Sequence, residues 1–317
     1  PITKGSIKAS SKFIYWIVKF LFKILFLKST LIKLSKNKNI NFIFNLRFNY
    51  SNYLRILLSN QIIYQSSFSK ESHENLFKQK KYCIIRNSSP WSFDNLPLKK
   101  YKKDIYKKNN NTILICTSFH ENRPLKGFGD LLLDLEKIKN RNKSLNIKLF
   151  IFGYIPKSYI KTYSRSLINF DTFKTINKDW ISTYPKFVNY SKELSQKLIS
   201  SDIYITYAQQ DPCPNIVLEA LAHGLPIIGC DSGGLPEIIG DCGEIIKIPE
   251  KIHSDFKNLN FEYGLEPPNV EDLYKSILKI INNKYSYQNN ISNSLRRTIS
   301  LESSVNNYHK LLNNLSL

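Results

Sequence analysis

The chain has 317 residues, of which 42% are hydrophobic and 22% charged, and its five cysteines are widely spaced without a CxxC pair. This composition argues against a disordered chain, a low-complexity protein, a disulfide scaffold and a structural zinc site, and it fits a reducing compartment. The net charge of +21 is uneven, because residues 1–110 hold 22 Lys and Arg against 4 Asp and Glu. We therefore expect a basic N-terminal segment that meets an anionic partner, joined to a nearly neutral globular domain.

The most apolar stretch is Phe13–Leu27, which contains Lys19 and Lys23. It is shorter than the run of about 20 apolar residues that a membrane-spanning helix requires. At helical spacing these two lysines share one side with Lys8 and Lys12, so the stretch predicts an amphipathic helix with a basic stripe. Two interpretations stay open: an ordinary domain helix with solvated lysines, or a helix that lies on an anionic membrane surface.

Residues 1–110 are predicted to form a partial N-terminal domain and a linker. A helix is expected at Ser69–Lys78, with Ser69 as the N-cap and Glu71 in the first turn. Residues 87–111 are polar and basic and contain two prolines, which is typical of an interdomain linker. Short apolar runs predict strands at 40–46, 61–64 and 82–86.

Residues 111–317 are predicted to form a second domain, because strand and helix patterns alternate from residue 112. This alternation predicts a parallel sheet with helices on both faces, in which ligands bind beyond the carboxyl ends of the strands. The predicted strands are 112–117, 148–152, 202–206 and 226–229, and the predicted helices are 129–139, 191–200, 215–222, 271–281 and 291–315.

The loop that runs from Ser118 to Gly127 follows a buried strand and precedes a helix. Its cations, Arg123 and Lys126, are expected near the positive end of that helix, which already favours anions. The loop therefore predicts a phosphate site that works without a metal. The alternative is a solvated loop with two ordinary surface cations.

A second loop begins at Asp211 and runs into the helix that carries Glu219. The spacing allows both carboxylates to face one cleft, where they would accept hydrogen bonds from sugar hydroxyls. The alternative is a capping Asp with a solvent-facing helical Glu. His223 precedes the helix-ending Gly224, and we interpret it as a C-terminal cap residue.

A third loop, residues 231–237, follows a strand and opens a helix. Its paired glycines, Gly233 and Gly234, allow a positive φ and a close approach of two backbones.

Together these loops resemble the retaining GT-B glycosyltransferases that carry an E-x7-E signature, the group 1 or family 4 type. The run DPCPNIVLEALAHGLPIIGCDSGGLPEII resembles their donor loop, signature helix and GG-x-PE segment, and KGFGDLLLDLEKI resembles their Lys-Gly helix. The run LFIFGYIP resembles their strand ending in Gly, and YCIIRNSS resembles the end of their N-terminal domain. The resemblance implies an α/β GT-B fold, with two Rossmann-like domains facing a cleft and a short or truncated N-terminal domain.

The resemblance also implies roles for particular residues. Lys126, with Arg123 in place of a family Arg that falls near Ser118, would bind the donor diphosphate. Glu219 would hold the ribose, and Asp211, one methylene shorter than the family's Glu, would hold the transferred sugar. The other implied donor-binding residues are Gly153, Cys213, Asn215 and Ile216. No residue matches the family's catalytic-side His.

The function that the resemblance implies is retaining transfer of a hexosyl group from a nucleoside-diphosphate sugar to a hydroxyl acceptor. The acceptor would be a saccharide or a lipid-linked molecule, in cell-surface polysaccharide or glycolipid synthesis. We expect a cytoplasmic protein that meets the inner membrane surface through residues 1–60, without a metal and without nucleic acid as a partner. The alternatives are a non-catalytic sugar-nucleotide binder and a sugar-nucleotide epimerase.

Overall fold

A computed structural model describes residues 61–77, 81–89, 112–118, 127–153, 179–184, 192–249, 267–294 and 298–315. The chain divides into two compact units, residues 1–62 and 63–317. The predicted helix at 13–27, the predicted strand at 40–46 and the predicted domain boundary at 110/111 lie outside the described residues, and they stay predictions.

The first described elements are two strands around a helix, β1 (Gln61–Tyr64), α1 (Ser67–Phe77) and β2 (Lys81–Ile84), and the two strands form a sheet of their own. Strands and helices then alternate: β3 (Thr112–Ser118), α2 (Phe128–Arg141), β4 (Asn146–Phe152), β5 (Ile181–Tyr184), α3 (Lys192–Ser200), β6 (Ile203–Thr206), α4 (Asn215–Ala222), β7 (Ile227–Cys230), α5 (Leu235–Ile239) and β8 (Gly243–Ile246). The described chain ends with α6 (Val270–Asn282), α7 (Lys284–Ser294) and α8 (Leu301–Leu315).

The larger sheet has six strands in the order β5-β4-β3-β6-β7-β8, and every neighbouring pair is parallel. This confirms the parallel sheet that the alternating pattern predicts. The strand order reverses between β3 and β6, which are hydrogen-bonded neighbours with Cys116 opposite Tyr204. In open sheets of this kind, ligands bind beyond the carboxyl ends of the strands at this reversal. The carboxyl ends of β3 and β6 therefore lie at the edge of the sheet where a ligand is expected.

Helices cover both faces of the sheet, because its central strands alternate side chains between two hydrophobic cores. On one face Ile115 of β3 packs in a core with residues of α2 and α6. On the other face Cys116 packs in a core with residues of α3, α4 and α5. The second core fixes α4, the helix that carries the predicted site residues Asn215, Ile216 and Glu219.

Two helix boundaries differ from the prediction because serine side chains cap the helices elsewhere. The first helix begins at Ser67, since Ser66 Oγ accepts a hydrogen bond from the Ser69 N–H at 3.1 Å, so Ser69 is not the N-cap. The single helix predicted at 291–315 is wrong. A new helix begins after Ser300, whose Oγ accepts a hydrogen bond from the Ser303 N–H at 3.1 Å.

The sequence patterns also missed strands β5 and β8. Both are short edge strands of four residues, and each pairs with a single neighbour in the sheet. Their sequences, ISTY and GEII, lack the continuous apolar run of a central strand. None of the helices in the described part of the chain is long and apolar enough to cross a membrane.

Candidate functional site

A cavity of about 370 Å³ opens beside the first turn of α4. Since α4 follows β6, this turn lies at the carboxyl edge of the sheet, next to the reversal of strand order. The cavity is lined by residues from three parts of the chain: the segment after β2, the helix α4 and the helix α8. They are Arg86, Asn87, Ser88, Asn215, Glu219, Ser304 and Tyr308.

Glu219 is the acidic residue that lines this cavity. It is only 9% exposed, and its carboxyl makes no hydrogen bond or ion pair with any residue that the structure describes. Burial raises the pKa of Glu219 to about 7. A buried carboxyl without donors of its own is unusual in a folded protein, and a ligand that donates hydrogen bonds would satisfy it.

Asn215, the first residue of α4, is oriented by a relay of side-chain amides. Asn87 Nδ2 donates to Asn215 Oδ1 at 2.8 Å, and Gln65 Nε2 donates to Asn87 Oδ1 at 3.0 Å. With its oxygen engaged, Asn215 presents its amide NH₂ group as a donor. The side chain of Ile216 is buried in the core, so Ile216 can reach a ligand only through its backbone N–H, which lies in the first turn of α4.

Asp211 is engaged in the loop that precedes α4. Its Oδ1 accepts a hydrogen bond from the Cys213 N–H at 3.2 Å, and its carbonyl accepts one from the Gly234 N–H at 2.8 Å. Asp211 is not among the residues that line the cavity. Burial raises the pKa of Tyr204, the hydrogen bond with Ser118 opposes this shift, and the charges of Glu219 and Asp211 raise the pKa further.

The paired glycines of the third loop pack directly against the loop of Asp211. A Cβ on Gly233, which has φ +65°, would lie 2.5 Å from the Asp211 carbonyl oxygen, and one on Gly234 would overlap the Pro212 carbonyl oxygen. Ser232 Oγ also accepts a hydrogen bond from the N–H of Gln210, a non-glycine residue with φ 54°. The close backbone approach predicted for this loop is therefore confirmed.

The predicted diphosphate loop is described only at its two ends. At one end, the hydroxyls of Ser118 and Tyr204 lie 2.8 Å apart in a buried hydrogen bond. At the other end, Gly127 has φ +58°, and a Cβ there would lie 2.7 Å from the Cβ of Tyr207, so the start of α2 packs against the end of β6. Arg123 and Lys126 lie outside the described residues.

Gly153 and His223, two further positions from the sequence analysis, make hydrogen bonds that hold neighbouring elements in place. Gly153 follows β4 with φ 117°, and its N–H donates to the Tyr184 carbonyl at 3.0 Å. His223 is the C-cap of α4, as predicted. Its Nδ1 lies 2.7 Å from the Glu219 carbonyl and its Nε2 lies 2.8 Å from Ser195 Oγ. Burial lowers the pKa of His223, although the hydrogen bond to that carbonyl opposes the shift.

The sequence analysis assigned no role to the cavity residues outside α4. Arg86, the first of them, donates from Nη2 to Glu237 Oε2 at 3.2 Å. That carboxylate also accepts hydrogen bonds from the N–H groups of Ser67 and Phe68, both at 3.1 Å. The resemblance of the YCIIRNSS run to a known family was the signal that could have drawn attention to this segment.

The described residues contain no group of three or more His, Cys, Asp or Glu side chains that could hold a metal ion. All five cysteines are free thiols. The expectation that no metal takes part stays a prediction.

Residues 110–259 match the model of the protein family described as Glycosyl transferases group 1. This stretch contains the sheet, the three predicted loops and α4. A curated relative, the sulfoquinovosyl transferase SQD2 of Arabidopsis thaliana, is 38% identical over 47 residues, which are 15% of this chain and 9% of the relative.

The structure is also similar to solved structures. Sucrose-phosphate synthase from Thermosynechococcus elongatus matches 83% of this chain and 60% of that chain, with a TM-score of 0.58 and 14% identity. The pneumococcal O-GlcNAc transferase GtfA, whose structure holds UDP and GlcNAc, matches 84% of this chain and 47% of that chain, with a TM-score of 0.55 and 16% identity. A glycosyltransferase from Rickettsia africae matches 80% of this chain and 62% of that chain, with a TM-score of 0.55 and 16% identity.

The chain therefore spans between 47% and 62% of the length of these three structures. Similarity at 14% to 16% identity shows the fold, and the α/β GT-B fold expected from the sequence is confirmed.

Proposed function

We propose that this protein is a glycosyltransferase, which moves a hexosyl group from a nucleoside-diphosphate sugar to a hydroxyl acceptor with retention of configuration. The observation that carries the proposal is the carboxyl of Glu219, which is buried against a cavity at the carboxyl edge of a parallel sheet and has no partner among the described residues. The match of residues 110–259 to a glycosyltransferase family supports the class of reaction.

Glu219 is proposed to accept hydrogen bonds from the ribose hydroxyls of the donor. Vicinal hydroxyls supply two donors at a spacing that one carboxylate can accept, and they would satisfy a buried carboxyl that has no partner among the described residues. The first turn of α4 adds backbone N–H groups and the amide of Asn215, which suit the oxygens of the donor's phosphates or sugar.

Asp211 is proposed to hold the transferred sugar, with the backbone near Cys213 beside it. The Asp211 carbonyl is fixed by Gly234, so the loop is held in one conformation before a ligand arrives. Lys126 and Arg123 are proposed to stabilise the charge that develops on the departing diphosphate. In the reaction the bond from the anomeric carbon to the diphosphate oxygen breaks, a bond to the acceptor oxygen forms, and the released diphosphate takes up the hydroxyl proton.

A panel of nucleotides tests this proposal on the full chain. Thermal unfolding is measured with UDP, GDP and ADP and with their glucose or mannose sugars. A ligand at about 100 times its Kd should stabilise the protein by about 2.7 kcal/mol. No stabilisation by any member of the panel would contradict the proposal.

Turnover with the sugar that binds separates the alternatives. Transfer to a saccharide or lipid-linked acceptor, with the anomeric configuration retained in the product by NMR, supports the proposed reaction. Binding without turnover indicates a non-catalytic binder. A changed sugar nucleotide without added acceptor indicates an epimerase.

We further propose that residues 1–60 hold the protein on the inner, anionic surface of a membrane, where a lipid-linked acceptor would be met. This segment has eleven Lys and Arg and no Asp or Glu. Each cation near such a surface contributes about 1 kcal/mol within a Debye length. The protein should float with anionic liposomes at low salt and not with neutral ones, and changing Lys12, Lys19 and Lys23 to Glu should abolish flotation. Equal flotation with both vesicle types would contradict the proposal.

A further inference from the structure

We infer that Arg86 binds an anionic group of the ligand that occupies the cavity around Glu219. The inference rests on the proposed function, because it assumes that this cavity receives the donor. It extends the site to residues upstream of the stretch that matches the glycosyltransferase family, which begins at residue 110.

The backbone at Arg86 is fixed on both sides. The N–H of the preceding residue, Ile85, donates to the Tyr64 carbonyl at 2.9 Å, and the Arg86 carbonyl accepts a hydrogen bond from Ser304 Oγ at 3.2 Å. Arg86 is therefore held between β1 and α8, and α8 lines the cavity with Ser304 and Tyr308. A binding residue that is positioned in advance loses little conformational entropy when the ligand arrives.

The guanidinium of Arg86 has more donors than the protein uses. Of its five N–H groups, the described contacts account for one, the hydrogen bond from Nη2 to Glu237. Its Nε is buried and has no hydrogen-bond partner among the residues that the structure describes. A buried N–H without an acceptor destabilises a folded protein, so a ligand oxygen that accepts this hydrogen bond would bind favourably.

Glu237 does not account for the presence of an arginine here. Its two oxygens already accept hydrogen bonds from the N–H groups of Ser67 and Phe68 at the start of α1. Burial acts to raise the pKa of Glu237, but those two N–H groups and Arg86 together lower it below its ordinary value. Glu237 would thus remain hydrogen-bonded without Arg86, whereas the remaining donors of Arg86 have no described acceptor.

The cavity around the guanidinium suits an oxyanion. Apart from Arg86 and Glu219, the described residues that line it carry neutral amides and hydroxyls. A planar guanidinium matches the paired oxygens of a phosphate, carboxylate or sulfonate. The anion has two sources on a sugar nucleotide: the diphosphate itself, or an acidic substituent on the transferred sugar.

Calorimetry on Arg86→Gln in the full chain tests the inference with four probes: inorganic pyrophosphate, UDP, UDP-glucose and UDP-glucuronate. GDP and GDP-mannose replace the uridine probes if the wild type prefers guanosine. If the diphosphate is the anion, affinity for every probe should fall about tenfold or more. If the sugar substituent is the anion, only the affinity for UDP-glucuronate should fall. Affinities within twofold of the wild type for all four probes would overturn the inference.

Two matched variants separate binding from a structural role. Glu237→Gln removes the other half of the same ion pair but keeps Arg86, and it should bind every probe within twofold of the wild type or more tightly. Arg141→Gln removes a cation from an exposed pair with Glu271 and should also leave binding unchanged. If Glu237→Gln weakens binding as much as Arg86→Gln, then Arg86 acts through the ion pair and the inference is wrong.

Arg86→Lys keeps the positive charge, and the affinity of this variant tests the inference if Arg86→Gln does not fold. It should retain part of the affinity, since an ammonium lacks the planar fork, and full wild-type affinity would contradict recognition by the guanidinium. A wild type that binds none of the nucleotides overturns the proposed function. Pyrophosphate binding that Arg86→Gln loses would still support an anion site.

Discussion

Glu219 and Glu237 lie on consecutive helices over the same face of the sheet, yet their carboxyls have opposite surroundings. The Glu219 carboxyl faces a cavity without a hydrogen-bond partner among the described residues, and burial raises its pKa to about 7. The Glu237 carboxyl accepts hydrogen bonds from two backbone N–H groups and from Arg86, and its pKa is lowered. One carboxyl thus has no described partner, whereas the other links α5 to the start of α1 and to Arg86.

The two acids therefore differ more in their hydrogen-bond partners than in their burial, which agrees with the ligand-binding role proposed for Glu219 and a structural role for Glu237. Both side chains are largely shielded from water, but among the described residues only Glu237 receives hydrogen-bond donors. A buried carboxyl without hydrogen-bond donors destabilises the folded protein. A ligand that supplies those donors binds more tightly for the same reason, so the lost stability is recovered as binding free energy. The following experiments test this division.

Lys126→Ala should have the largest effect, and it concerns the reaction itself. Removing the cation that is proposed to stabilise the departing diphosphate should raise the barrier by about 3 kcal/mol, which lowers kcat by more than about a hundredfold. Turnover is measured with the preferred sugar nucleotide, and circular dichroism checks the fold. Wild-type turnover would remove Lys126 from the mechanism.

Glu237→Gln should cost stability, whereas Glu219→Gln should not. Losing charge-assisted hydrogen bonds at Glu237 should lower the free energy of unfolding by about 2 kcal/mol. Glu219→Gln removes a charge that burial disfavours, so its stability should equal or exceed that of the wild type at neutral pH. Chemical denaturation measures both, and the opposite ranking would contradict the division.

The pH dependence of stability should differ in sign between the two acids. Because the folded pKa of Glu219 is about 7 and its ordinary value is 4.5, the folded state binds the proton more tightly. Its contribution to the free energy of unfolding should therefore fall as pH rises from about 4.5 to 7, by at most about 1.4 kcal/mol per pH unit. The contribution of Glu237 should be present above its ordinary pKa and be lost as pH falls through its lowered folded pKa.

Denaturation of the wild type, Glu219→Gln and Glu237→Gln across this range isolates each contribution by difference. The difference between the wild type and Glu219→Gln should change most between pH 4.5 and 7. A flat difference would show that Glu219 has an ordinary pKa in the folded protein.

The smallest expected effect separates Glu219 from Asp211 within the site. Glu219→Ala should weaken binding of both the free nucleoside diphosphate and the sugar nucleotide by about tenfold, the contribution of one or two hydrogen bonds. Asp211→Ala should weaken only the sugar nucleotide. Calorimetry with both ligands measures this, and equal losses in each variant would show that the two acids share one role.

Much of the fold follows from local sequence patterns. The strands β3, β4, β6 and β7 and the helices α2 and α4 lie where apolar runs and helical periodicity predict them, because buried parallel strands need continuous apolar residues. Helical periodicity did not predict that the chain forms two helices, α7 and α8, with a break near Ser300. The helical pattern continues on both sides of Ser300, but the Ser300 hydroxyl caps a new helix there. The Ser89 N–H also donates a hydrogen bond to the Ile299 carbonyl, a contact from a distant part of the chain.

The candidate site likewise combines features that local sequence predicts with contacts that it does not. The sequence alone identified Asn215 and Glu219 on one helix and the glycines that let two loops meet, since these depend on spacing and on the conformational freedom of glycine. Only the tertiary structure decided that Arg86 reaches Glu237, 151 residues away, and that α8 completes the cavity. It also decided that Glu237 has three hydrogen-bond donors whereas Glu219 has none among the described residues. Partners of this kind come from distant parts of the chain, and periodicity in the sequence reports only on neighbours along a helix or strand.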